Sequence, residues 1–205
     1  FLPGLAISNY TRAYVTAVIY RLERCDPADV TALTKFTAGL SGASVGGGGW
    51  SDALRFHVVL SELFPEPAPT SSAIQAKLDG FYMAPGESLY FAQAAASWPV
   101  YPRDAHVGAF AVSSVPMLML NGTLDPATAP PVAAPFGSHF TAPGQHFVMV
   151  ERATHSVMFS NACAAGIAKA FLLDPKQALD TSCASATPAV DFKGSNKLNT
   201  YFWGR

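Results

Sequence analysis

Charge is scarce in this sequence. Lys and Arg number 13 and Asp and Glu 14, together 13% of 205 residues, against about 25% in an average soluble protein. The resulting net charge of −1 excludes the basic footprint with which nucleic-acid binders neutralise phosphates. Cysteine is scarce too: Cys25, Cys163 and Cys183 are too few for a disulfide-built scaffold, and none has metal-ligand spacing. Long apolar runs are missing. The densest, Val115 to Leu120, has the length of a strand, not the ~18 residues of a membrane span. No charged-then-apolar leader follows Phe1, so the expectation is a processed or partial polypeptide. Low charge fits such a chain, whose surface is meant to be covered. What the chain does have is apolar mass. Half of its residues are hydrophobic, which excludes disorder and is ample for a real core.

Cys163 and Cys183 flank a predicted helix and its following loop. A bridge between them would close a loop of about 20 residues, worth ~3 kcal/mol in the chain-entropy account. The alternative is a buried thiol near the helix and a free one in the loop; the bridge is the expectation. Cys25 is then left over, free or paired outside the chain. Two sequons, Asn9-Tyr10-Thr11 and Asn121-Gly122-Thr123, lean weakly toward a secreted protein.

The pattern changes along the chain. To about residue 105 it reads as helices between Gly- and Pro-rich breaks. Ser8 or Asn9 is placed to cap a helix carrying Val15, Val18, Ile19 and Leu22 at helical spacing. Asp26-Pro27 opens a second helix, with the acceptor side chain before the proline. Ser51 caps a third, running to about Phe64, and shorter helices fall at 71–82 and 87–98. Residues 98–103 form an extended connector. From about 110 strand and helix alternate: strands at 115–120 and 146–150, a modest helix at 128–135, and a helix from Met158 to Leu173 with Ile167, Phe171 and Leu172 on its apolar side. Alternation of this kind predicts an α/β fold with parallel strands. A parallel sheet is covered on both faces, and two strands do not complete one.

In open α/β sheets functional groups gather at the carboxyl ends of strands. Asp125 and His155 occupy corresponding positions after the two predicted strands. A carboxylate there can accept from imidazole Nδ1–H and leave Nε2 as a general base. Turn chemistry for Asp125 and a solvated role for His155 are the plain alternatives.

The run Val115-Pro116-Met117-Leu118-Met119-Leu120-Asn121-Gly122-Thr123-Leu124-Asp125-Pro126, followed by Ala153-Thr154-His155-Ser156-Val157, resembles the carboxyl-terminal region of α/β-hydrolases. The nearer likeness is to the tripeptidyl-aminopeptidase-like branch, related to prolyl aminopeptidases. In that branch the acid lies in a Gly-x-x-Asp-Pro-x-Thr turn, here Gly122, Asp125, Pro126 and Thr128. The stretch from Cys163 to Cys183 is similar too, as are, more loosely, Tyr20 to Asp29 and Ser61-Glu62-Leu63. The resemblance implies a helical cap over 1–105 and the carboxyl-terminal part of the hydrolase core over 106–205. It implies a Ser-His-Asp hydrolase releasing short peptides from a free amino terminus, and with no phosphate-binding glycine loop after a strand and no clustered His/Cys ligands in the sequence no cofactor is expected. Glu62, in a cap helix, is the candidate to hold the substrate's α-ammonium, with a solvated helix residue as the plain reading. Trp50, Phe56, Phe81, Tyr82, Tyr90 and Phe91 line a pocket or, by default, pack the cap.

Such enzymes carry their serine in a Gly-x-Ser-x-Gly elbow between a buried strand and a helix. Gly42-Ala43-Ser44-Val45-Gly46 is a literal match, but it follows a predicted helix, and the glycines beside it make a chance match easy. Ser44 therefore reads as a decoy. The expectation is a serine hydrolase half, secreted, whose nucleophile lies on an amino-terminal companion segment. An esterase with the same triad and a non-catalytic subunit of the same fold are the alternatives.

Overall fold

The computed structural model describes residues 2–43, 51–84 and 86–204. Ser44 and Trp50 lie outside them. The described chain forms two compact units: one of residues 51–112, the other of 2–43 together with 113–204. The expected cut near 105 and these units differ over residues 2–43, which share a unit with the strands.

The first unit is helical. Ser51 caps α4 (Asp52–Val58) by accepting from Leu54 N–H at 3.2 Å. The chain then widens into a π-turn at Val59–Leu63. Helices α5 (Ser71–Leu78) and α6 (Glu87–Ala94) follow, each shorter than its predicted range. Phe56 and Phe91 do pack the unit: their rings are 4.8 Å apart, and Trp98 stands 5.2 Å from Phe56. Phe81, Tyr82 and Tyr90 are exposed.

The second unit has two cores. Helices α1 (Leu2–Ala6), α2 (Val15–Arg24) and α3 (Pro27–Ala43) meet α10 (Asn196–Trp203) around Leu5, Tyr14, Val18, Phe36 and Phe202. Tyr14 meets Phe202 edge-on at 5.4 Å, and Phe36 stacks on Trp203 at 4.6 Å. Such aromatic pairs add to plain area burial. Asp26 opens α3 as expected, accepting from Asp29 N–H at 3.0 Å. Ser8 and Asn9 do not cap α2. The chain enters α2 through a 3₁₀ turn at Arg12–Tyr14, Ser8 caps only its own turn by accepting from Tyr10 N–H, and Asn9 is engaged elsewhere. Of the predicted stripe only Val18 is fully buried; Ile19 and Leu22 are exposed.

The other core lies against the sheet. Strands β1 (Met117–Gly122) and β2 (Gln145–Val150) pair in parallel, Met117 opposite Gln145 and Gly122 opposite Val150. Pro116 stands just before β1, where its missing N–H breaks no ladder bond. Helix α7 (Pro130–His139) makes the crossover. Gln145 fastens the sheet's start, its buried amide donating to the carbonyls of Ser113 and Val115 at 2.8 and 3.1 Å. The predicted helix from 158 is two helices, α8 (Val157–Ser160) and α9 (Ala162–Leu173), because Asn161 is extended and caps α9 by accepting from Ala164 N–H. Val148, Val150, Val157, Ala164 and Ile167 form the core between β2 and these helices. Leu172, expected on the apolar side, is exposed. The disulfide Cys163–Cys183 ties α9 to a 3₁₀ turn at Ser182–Ser185, and Cys25 is free and exposed.

Candidate functional site

The carboxyl ends of β1 and β2 lie side by side because the strands are parallel and in register to Gly122 and Val150. The two turns that follow are hydrogen-bonded to each other. Thr123 N–H donates to Val150 O at 3.0 Å, Leu124 N–H to Ala153 O at 2.9 Å, and Arg152 N–H to Thr123 Oγ1 at 2.7 Å. Gly122 permits this approach: a Cβ there would stand 2.2 Å from Ala153 O, inside any tolerable contact.

Asp125 is buried in the first turn. Its Oδ1 accepts from the backbone N–H groups of Ala127 and Thr128, both at 2.8 Å. The intervening Pro126 has no N–H to offer, so both bonds fall beyond it. Asn121, buried at the strand end, closes the turn by donating Nδ2–H to Thr128 O at 3.1 Å. The carboxylate is thereby fixed with Oδ2 directed at His155 Nδ1, 3.0 Å away; Oδ1 is 3.2 Å from the same nitrogen. An acceptor-only carboxylate at Nδ1 selects the tautomer with the proton there, leaving the Nε2 lone pair available. His155 is 40% exposed at its side chain while Asp125 is 5% exposed, so the imidazole is open to a reactant and its partner is shielded.

The loop carrying His155 is tightly held. Glu151 N–H donates to Ala184 O at 2.8 Å, in the disulfide-linked turn, and His155 N–H donates to Ile7 O at 3.2 Å. Arg152 and Ser156, on either side of His155, both have left-handed backbones, with φ of 56° and 55°.

Glu62 lies in the other unit. It follows the buried Ser61 in the π-turn and accepts a hydrogen bond from Tyr101 Oη–H. That bond, then burial, then the charges of Glu62 and Asp104, push the Tyr101 phenol above its ordinary value. Tyr101 N–H donates to Ser61 Oγ at 3.3 Å, and Arg103 Nε–H to Ser61 O at 2.7 Å. Leu60, Phe64, Val100, Tyr101 and Arg103 are among the residues around an adjoining cavity of about 520 Å³. Asp125 and His155 are thus brought together within one unit, and Glu62 belongs to the other.

Asn9 and Thr154 enter the site in ways the sequence did not announce, whereas Gly122 was legible as the first position of the acid's turn but not as the point where Ala153 approaches. Asn9 was legible only as a cap or a sequon, since its partners are about 150 residues away. Among the described residues no His, Cys, Asp or Glu cluster is gathered to hold a metal, and no helix is long and apolar enough to cross a membrane.

Parallel strands joined by a helical crossover are compatible with part of an α/β fold, and here they carry an acid and a histidine, hydrogen-bonded to each other, after successive strands. Residues 86–183 match the family model described as TAP-like protein, and this stretch of the chain belongs to the TAP-like α/β-hydrolase family. The matched stretch holds both strands, Asp125, His155 and the disulfide. Hydrolase chemistry is the activity class that the match supports. No curated protein and no solved structure matches the chain significantly.

Proposed function

We propose that the chain supplies the acid and the base of a serine hydrolase, with Asp125 and His155 acting on a serine carried by an amino-terminal companion segment. The observation that carries this reading is the buried, doubly anchored Asp125 carboxylate 3.0 Å from His155 Nδ1. Nε2 takes the serine proton as Oγ attacks an acyl carbonyl. Asp125 stabilises the imidazolium that forms, and the proton passes on to the leaving group. Water, activated by the same Nε2, then releases the acyl group.

The companion segment is supported by the sheet. β1 is an apolar strand, yet Met117 to Leu120 are only half-buried. Leu118 and Leu120 face an apolar cavity of about 360 Å³ shared with Met158, Phe159, Phe171 and Leu172. A parallel sheet is stable when covered on both faces, and further strands would provide that cover. In this reading the helical unit of residues 51–112 contributes the cap, and residues 2–43 group with 113–204 as the end of the hydrolase core. The disulfide suits an oxidising compartment, so we place the protein outside the cell.

The substrate we infer is a peptide with a free amino terminus, its α-ammonium held by Glu62. Tyr101 supports this by fixing one oxygen of that carboxylate, leaving the other for an ammonium donor.

Labelling the intact protein with a fluorophosphonate probe, then locating the modified peptide by mass spectrometry, tests the reading. A labelled serine on a companion segment is the expected result. A label on Ser44 would reassign the nucleophile, and no label on folded protein at neutral pH would end the proposal. Comparing a free-amino peptide amide with its N-acetylated form tests the substrate: equal rates would make the enzyme an esterase-type hydrolase or an endopeptidase.

A further inference from the structure

We propose that Asn9 is a positioning residue for His155, gripping the loop that carries it from both sides. This rests on the reading of His155 as the general base.

Both ends of the Asn9 carboxamide are in use. Oδ1 accepts from the Thr154 hydroxyl at 3.0 Å, and Nδ2–H donates to Ser160 O at 3.0 Å. The orientation follows from chemistry. Ser160 O only accepts, so it must face the NH₂ group, and the carbonyl end is left for a hydroxyl that can donate. Thr154 is fully buried and immediately precedes His155; Ser160 ends the short helix α8 that follows it. The two bonds therefore straddle the histidine.

That span needs holding. Left-handed backbone at a non-glycine residue carries a steric cost, and it persists where the surroundings over-determine it. Arg152 and Ser156 both pay this cost within five residues. The segment 7–12 supplies the restraint: besides the Asn9 pair, Ile7 O accepts from His155 N–H and Arg12 donates Nη2–H to Arg152 O at 2.6 Å. Asn9 is the member whose bonds act on both flanks. A glycan on Nδ2 would replace one of its two protons, beside the bond to Ser160 O, and would need room where Asn9 is half-buried.

The test uses the intact protein with its companion segment, the variants Asn9→Ala, Thr154→Val and Thr154→Ser, and two readouts. For acylation by the fluorophosphonate probe, kinact is expected to fall about 10–100-fold in Asn9→Ala and Thr154→Val with KI within about twofold, because misplacement of a base costs rate and not binding. Thr154→Ser, which keeps the hydroxyl, is expected to restore most of the rate. In spectra of ¹⁵N-histidine protein, the slowly exchanging His155 Nδ1–H line is expected to vanish in the first two variants and persist in the third. Unchanged kinact and an unchanged Nδ1–H line in folded Asn9→Ala would overturn the proposal; Thr154→Val decides if Asn9→Ala does not fold. Asp125→Asn separates the two levels of argument. If it leaves both readouts intact, the reading of His155 has failed. If it abolishes them and Asn9→Ala does not, the positioning role alone has failed.

Discussion

Gly122 has no side chain because Ala153 leaves no room for one. Its Cβ would meet that carbonyl at 2.2 Å and Thr154 O at 2.8 Å, and both are backbone, which cannot swing aside. Gly122→Ala is expected to lower unfolding free energy by about 1–3 kcal/mol, read from a denaturant melt, and to abolish labelling by separating the two turns. Asp125→Asn keeps the shape but favours the wrong imidazole tautomer; turnover is expected to drop about 10⁴-fold with little change in KM. Asn121 is buried and bonded to Thr128 O, so peptide mapping of the folded protein should find it without a glycan. Its sequon therefore adds nothing to the argument for secretion. Asp125 and His155 were legible in the sequence because each sits just after a recognisable apolar strand. Asn9 was not, because a side chain's partner across 145 residues leaves no mark on local spacing.

At the scale of elements, signals that a few neighbouring residues create were read well. Ser51 and Asp26 start their helices as expected because an N-cap needs only a side chain and an amide two or three positions on. The signals that failed depend on distant packing. Ile19 and Leu22 recur at helical spacing but are exposed, and a helix assumed continuous from 158 breaks where Asn161 serves as a cap in place of a helical residue. The expected bridge is present, and it joins α9 to the turn whose Ala184 O receives Glu151 N–H. Replacing Cys163 and Cys183 by alanine is expected to cost about 3 kcal/mol, measured as a lowered denaturant midpoint. Helices α2 and α3 are joined by Asp29, buried between Arg21 and Arg24 with both contacts at 2.6 Å. The hydrogen bond from Arg24, with the charges of both arginines, holds the Asp29 carboxyl below its ordinary 3.8 against the opposing effect of burial. Ser182 lowers Asp180 in the same direction. A carboxyl depressed in the folded state contributes stability that is present above its unfolded value and is lost as pH falls through its folded one. Tm should therefore fall below about pH 4, and Asp29→Asn should flatten that acid limb while lowering Tm at neutral pH.

For the whole molecule, the sequence divided by texture and the chain divides by packing. Helical texture runs to about residue 105, but Tyr14, Val18 and Phe36 share a core with Phe202, so residues 2–43 group with the strands. Aromatic residues near the two ends of a sequence give no local sign that they meet. Limited proteolysis is expected to respect the packing: after cleavage between 51 and 112, residues 2–43 should remain bound to 113–204 under native conditions. Separation of those pieces on a sizing column would contradict the shared core. The grip of segment 7–12 on residues 152–160 has a further consequence in time. At about 5–20 residues per second, a ribosome delivers Thr154 roughly 7–30 s after Asn9, and Phe202 later still. Throughout that interval the early segment waits with its polar groups in water and its aromatic cluster open on one side. The histidine loop is thus set by an encounter between segments made 145 residues apart, so its conformation is fixed long after the segment that holds it has been synthesised.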